Sequence, residues 1–315
     1  MGNLDGILIS ILPPFILLAL GALARKAAWL RAEADASLSM VTIRILYPCF
    51  IFYHILGSKE VIVNASTLLT PAFGFASILL GFGLAWVVSK LIRIGEGVQT
   101  FRFCTGIFNY GFIAIPVAHS LFGSEIVVRI ILFNLGVEVA IWTVGILVLT
   151  TEKFSLKGLV NPPVLSVILA LILQSMGGRA FVPSFAWEVV EMIGNCSIPM
   201  GLMLIGGSFY ELMSGFRFSP GYRVEIAALL VRNLIFPCLL LAFVAWGALP
   251  ADMDWMRQIL VIQAAMPAGI FAVVIVGNYS GNRDMAMRSI MITMLAGTVT
   301  LPLWVILGLS LLPFR

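Results

Sequence analysis

Runs of about 20 apolar residues recur along this chain, each the length a helix needs to cross roughly 30 Å of hydrocarbon. They fall near 7–25, 37–57, 68–89, 101–121, 126–150, 162–177, 186–210, 224–247, 257–279 and 286–312, the sixth being the shortest. In hydrocarbon every peptide N–H and C=O must find its partner within the protein, which leaves only helices or closed barrels. The period-2 alternation of a barrel strand is absent, and the runs are continuous, punctuated by Gly and Pro. The sequence thus predicts an all-α integral membrane protein of ten transmembrane helices. With 61% apolar and 11% charged residues, the chain falls far short of the roughly one quarter charged that a soluble surface carries.

Lys and Arg set the orientation. The odd-numbered loops hold Arg25, Lys26, Arg31, Lys90, Arg93, Arg102, Lys153, Lys157, Arg217, Arg223, Arg283 and Arg288, against Lys59, Arg129, Arg179, Arg257 and Arg315 in the even loops and termini. By the positive-inside rule the odd loops are cytoplasmic, which puts both termini on the extracytoplasmic side of a plasma (inner) membrane. The same asymmetry accounts for the net charge of +4, so no nucleic acid partner is implied. Ala22-Leu23-Ala24 mimics a signal cleavage site, but no basic segment precedes the first span and Arg25-Lys26 follows it, so a retained helix is expected. Cys49, Cys104, Cys196 and Cys238 are scattered within apolar spans and read as packing residues, with no zinc pattern.

The landmarks of the first half return in the second. Leu12-Pro13-Pro14 matches Asn161-Pro162-Pro163, and Tyr47-Pro48-Cys49 matches Ile198-Pro199-Met200. An unbroken third span, an interrupted fourth and a Gly-containing turn into a polar-dotted fifth follow in both halves. Five spans are an odd number, so the second copy enters the bilayer from the opposite side: two five-helix inverted repeats, 1–155 and 156–315, joined near Thr151–Asn161.

The interruptions in spans 4 and 9 read Phe108-Asn109-Tyr110-Gly111-Phe112-Ile113-Ala114-Ile115-Pro116 and Gln263-Ala264-Ala265-Met266-Pro267-Ala268-Gly269. Pro116 cannot donate to the carbonyl of Phe112, and Gly111 loosens the same turn. Both breaks lie about 10–12 residues, or 15–18 Å, from where their spans enter, so they are expected to meet near the midplane as broken, crossing helices. Each break creates a new helix N-terminus with free N–H groups, and two converging termini would favour an anion. No carboxylate lies within either break.

Membrane-embedded ionisable residues usually face a partner or a pathway. Glu138 and Arg232 lie at similar depth and are expected to pair, either pinning span 5 to span 8 or serving as a titratable switch. Arg44 would either reach the lipid interface or face the cavity, where its guanidinium could grip a carboxylate. Asn134, Asn195 and Ser197 offer neutral oxygens for a cation, hydrogen bonds for a solute, or adhesion between helices. No catalytic arrangement appears among these residues, which argues against an enzyme.

The chain resembles the auxin efflux carrier family, which includes plant PIN auxin exporters and bacterial malate or malonate permease-type carriers. The resemblance rests on Asn109-Tyr110-Gly111-Phe112 with Pro116, Asn161-Pro162-Pro163, Pro199 through Gly206, and Ala265-Met266-Pro267-Ala268-Gly269. It implies the fold of the bile-acid:sodium symporters, with a scaffold domain (spans 1, 2, 6 and 7), a transport domain (spans 3–5 and 8–10) and an elevator-like movement. The crossover maps onto Asn109 to Pro116 and Met266 to Gly269. The expected function is a secondary carrier of small organic anions driven by proton or membrane potential. Alternatives are a sodium-coupled symporter or cation/proton antiporter, or a membrane sensor that binds without moving its ligand. No cofactor is expected beyond a coupling ion, proton or sodium, and a homodimer is left open.

Overall fold

A computed structural model of the protein describes residues 4–57, 65–150, 161–214, 218–247, 249–250, 253–279 and 281–312. Among these residues the secondary structure is helical, apart from one isolated bridge. Among the described residues six helices are long and apolar enough to cross a membrane: Ala32–Gly57, Leu69–Leu91, Glu125–Leu149, Ser184–Glu211, Arg223–Ala245 and Arg283–Ser310. The expected junction of the repeats lies almost wholly outside the described residues.

The order begins with α1 (Leu4–Lys26), then α2 (Ala32–Val41) and α3 (Tyr47–Gly57) joined through a π turn, then α4 (Ala65–Leu91). Next come α5 (Val98–Gly106), α6 (Ala114–Phe122), and α7 (Glu125–Ala140) running through a π turn into α8 (Ile146–Leu149). α9 (Pro162–Ser175) precedes α10 (Ser184–Asn195) and α11 (Ser197–Ser214), and α12 (Arg223–Leu229) continues through a π turn into α13 (Phe236–Ala245). The chain closes with α14 (Asp254–Ala265), α15 (Phe271–Asn278) and α16 (Arg283–Ser310).

Local chemistry explains the boundaries that matter for the site. Asn161 Oδ1 accepts from the Val164 N–H at 2.9 Å, while Pro162 and Pro163 fill the first turn of α9, where no N–H is needed. Asn282 caps α16 in the same way through the Met285 N–H. Two of the three π turns, Thr42–Leu46 and Leu230–Ile235, lie just before Pro48 and Pro237. A proline ring collides with the carbonyl four residues back, and one extra residue in the turn relieves that collision.

Two close backbone approaches organise the packing. α1 lies against α11, where a Cβ on Gly21 would overlap the Met203 carbonyl and one on Gly206 the Leu18 carbonyl. α4 lies against α7 through Gly74 and Gly136, whose missing side chains leave room for the carbonyls of Phe133 and Pro71. Small residues at such seams are how membrane helices approach closely enough for dispersion to hold them. One group of helices gathers α1, α3, α9, α10 and α11; the other gathers α4 to α7 and α12 to α16. At one end of the first group, Arg25 bonds Glu211 at 2.6 Å and also Asp35, tying α1, α2 and α11 together.

Candidate functional site

The two interrupted spans meet. α5 ends at Gly106 and α14 at Ala265, and the residues that follow run extended past one another, with Phe108 and Ala268 forming an antiparallel bridge. The Asn109 N–H donates to the Pro267 carbonyl at 2.8 Å, and the Gly269 N–H to the Ile107 carbonyl at 3.0 Å. The breaks thus satisfy much of each other's backbone, as peptide groups in an apolar interior must. In such a bridge the Ala268 N–H faces away from its partner strand; the Thr293 hydroxyl accepts it at 3.2 Å.

Sequence reasoning set the first break over Phe108–Pro116 and ascribed it to Gly111 and Pro116; of the two, Pro116 is the third residue of α6, within the first turn, where a missing N–H costs nothing. The extended segment before it makes the interruption, and Asn109 Oδ1 caps the new helix by accepting from the Ile113 N–H at 3.3 Å. Pro267 lies in the bridge itself. Its missing N–H helps keep α14 from continuing into α15.

The crossing is laced together by three residues singled out from sequence. Asn134 Nδ2 and Gln263 Nε2 donate to the Tyr110 carbonyl at 3.1 and 3.3 Å, while their own side-chain oxygens are buried without a donor. Met266 and Ala268 are fully buried beneath them.

Among the described residues two cavities larger than a small recess of about 20 Å³ beside Asn134 flank the crossing, both between the two helix groups. The narrower, of about 60 Å³, is lined by Asn109, Tyr110 and Gly111 of the first break, the Gly269–Ala272 segment of the second, and Glu138, with Tyr47 and Pro163 opposite. The wider, of about 230 Å³, meets the crossing at Ile113 and Pro267 and is otherwise walled by apolar residues of α1, α11 and α16 together with Thr298. Residues leading into both new helices, Gly111 and Phe112 before α6 and Gly269 and Ile270 before α15, line the narrow cavity, while Ile113 reaches the wide one. Ile270 and Phe271 line the narrow cavity, and their N–H groups, at the positive end of α15, donate to no acceptor among the described residues.

Glu138 and Arg232 do not pair. The Glu138 carboxylate accepts from the Tyr110 hydroxyl at 2.6 Å and from Trp142 Nε1 at 2.9 Å, with Asn161 as a third side-chain donor. Arg232 is 1% exposed. Its guanidinium lies 4.0 Å from the Phe236 ring centre and 5.5 Å from that of Phe108, and one N–H reaches the Gly106 carbonyl at 3.4 Å. Its Nε and Nη1 donate to nothing among the described residues. Equal depth says nothing about direction around the helix, and these side chains point to different neighbours. Through Tyr110, α7 brings to the crossing the carboxylate that neither break contains.

The remaining candidates lie elsewhere. Arg44 is exposed on the same outward face as Val41 and Ile45, while Ile43 and Tyr47 of that turn take the cavity side. Asn195 is exposed at the end of α10, and Ser197 is buried at the kink into α11; neither lines either cavity. Sequence reasoning missed Trp142 and Tyr47 beside Glu138, and the Thr293–Asn233 pair behind Ala268, where Asn233 Nδ2 donates to the Thr293 carbonyl at 3.1 Å. The i, i+4 spacing of Glu138 and Trp142 was a usable signal.

A model of a family described as membrane transport protein matches residues 6–153 and 146–305. An uncharacterized transporter of Methanothermobacter thermautotrophicus is 22% identical over 303 residues, covering 94% of this chain and 96% of its own. An uncharacterized transporter of Methanocaldococcus jannaschii is 26% identical over 302 residues, covering 92% and 94%.

Proposed function

This chain belongs to the membrane transport protein family, and from that premise we propose that it is a secondary carrier of small organic anions which binds its solute in the narrow cavity at the crossing. The observation that carries this reading is the unsatisfied N-terminus of α15, whose Ile270 and Phe271 line that cavity beside Asn109. Backbone N–H groups at a helix start suit a carboxylate in both charge and hydrogen bonding. We take the ten helical stretches as ten spans in two inverted repeats. The group holding α1, α3, α9, α10 and α11 acts as scaffold, and the group holding the crossing moves as an elevator-like transport domain. The packing of the helices into two groups with both cavities between them supports that division.

A carboxylate panel screened for thermal stabilisation of the purified protein, followed by flux of the hits in liposomes, tests the proposal. Carboxylates should stabilise it and be transported. Stabilisation by cations or neutral amines alone would refute an anion site.

A second reading, a sodium-coupled carrier, is favoured by one observation. Asn134 Oδ1 and Gln263 Oε1 are buried without donors on either side of the Tyr110 carbonyl. With both amides reversed, three neutral oxygens would face one point, a donor set of the kind hard cations take. Uptake that requires a sodium gradient would favour it over the first.

A further inference from the structure

Deep within the helix group around the crossing, away from helix ends, Arg232 and Glu138 have no ionic partner among the described residues; Glu225, also buried, lies in the first turn of α12 and is held by the Ser219 N–H and hydroxyl. Arg232 is a guanidinium, which stays protonated in proteins, held by aromatic rings and one carbonyl. Glu138 is surrounded by neutral donors: Tyr110, Trp142 and Asn161. Other titratable groups on the helices packed against α7 are engaged elsewhere or lie near helix ends. Tyr53 bonds Glu191, His54 packs tilted against Phe50, Lys90 lies over Trp86, Asp254 pairs with Arg257, and His119 is exposed. Tyr47 faces Glu138 across the narrow cavity as a neutral phenol.

Resting on the anion-carrier reading above, we infer that Glu138 takes up one proton with each monovalent anion, so that the deep interior of the moving group is electrically neutral on both legs of the cycle. Loaded, it holds the Arg232 cation, protonated Glu138 and the anion, which sum to zero. Empty, it holds the Arg232 cation and ionised Glu138, which again sum to zero. A net charge in hydrocarbon is costly, and its passage through the membrane field would tie the rate to the potential. The geometry supplies the link between proton and solute. While Glu138 is ionised, its Oε1 holds the Tyr110 O–H as a donor at 2.6 Å. A proton arriving from water on one side forms the carboxylic O–H, and the hydroxyl of Tyr110, a residue that lines the cavity, becomes free to donate to the incoming anion. On the far side the anion leaves, the proton returns to water and Tyr110 closes back on Glu138. Arg232 acts through the field alone and touches neither solute nor proton.

The test uses the purified full chain in sodium-free liposomes. Labelled lactate and pyruvate serve as monovalent probes, malonate as a divalent one, a pH dye reports proton movement, and potassium with valinomycin sets the potential. Wild type should move one proton per lactate or pyruvate, with a rate that changes less than about twofold on imposing 100 mV. In Glu138→Gln the empty leg carries a positive charge. Lactate counterflow should persist, proton movement should vanish, and net uptake should become potential-dependent, by up to about 50-fold per 100 mV. Malonate entering as a dianion should be potential-dependent even in wild type. Proton-free lactate flux accelerated by potential in wild type would overturn the inference, as would undiminished proton movement in Glu138→Gln. The wild-type arm decides the matter even if the variant does not fold. Absence of exchange of all three anions by folded wild type would instead remove the carrier reading beneath it.

Discussion

The hydroxyl of Thr293 makes a contact that decides how firmly the crossing holds. The bridge leaves the Ala268 N–H pointing away from the first break, and Thr293 Oγ1 accepts it at 3.2 Å while donating to the Ile290 carbonyl at 2.9 Å. Ala268 has no exposure, so water cannot replace that acceptor. Thr293→Val keeps the shape of the side chain and removes the oxygen. An orphaned buried donor costs about 1–3 kcal/mol, which corresponds to a roughly 5- to 150-fold larger population of the opened crossing at about 1.4 kcal/mol per tenfold. Hydrogen–deuterium exchange of peptides covering 262–272 reads this directly. Thr293→Val should speed exchange by that factor around Ala268, whereas Thr293→Ser should stay near wild type. Unchanged exchange in Thr293→Val, or equal acceleration in Thr293→Ser, would refute the assignment of the hydroxyl as the acceptor.

Other outcomes follow from the same geometry. Gly136→Leu, whose Cβ would overlap the Pro71 carbonyl, should lower the thermal midpoint sharply, by several kcal/mol of stability. Gly83→Ala, with open space around it, should be neutral or stabilising by up to about 1 kcal/mol; tryptophan fluorescence melts distinguish the two. Tyr110→Phe deletes a charge-assisted bond worth about 1.5–3 kcal/mol, and maximal solute flux should fall about tenfold or more while the protein stays folded by size-exclusion chromatography. Arg44→Gln should leave the half-saturating solute concentration within about twofold, because this side chain faces away from both cavities.

The crossing was legible in the sequence because its causes are local. Gly111 and Pro267 interrupt apolar runs at matched depth, and unpaired peptide groups at that depth have few ways to be satisfied other than each other. The partners of Glu138 were not legible in the same way. Counting residues from a span's end gives depth but neither the direction around the helix axis nor the shift added by a π turn. Arg232 and Glu138 share a depth, yet one turns towards Phe236 and the other towards Tyr110. Arg44 illustrates the same gap, being displayed outward from a π turn whose neighbour Tyr47 faces in. Thr293 and Asn233 resemble the small polar residues that join any membrane helices; only the strand geometry at Ala268 gives them a distinct task.

The reciprocal bonding across the Phe108–Ala268 bridge also bears on how the chain is made. On the proposed ten-span reading, span 4 enters the bilayer with the polar backbone of Ile107 and Asn109 unpaired, and its partners lie half a chain length later in synthesis. At about 5–20 residues per second the wait is on the order of 10 s. During that interval the nascent first half holds peptide groups that hydrocarbon cannot solvate, so it must shelter them in the insertion machinery, with a chaperone, or in water at the bilayer surface. Only when α14 has been threaded does the first half acquire a stable resting place. Truncation before residue 266 should therefore yield a fragment that insertion machinery retains or quality-control proteases remove, which would make the second half a licence for the first to leave the translocon.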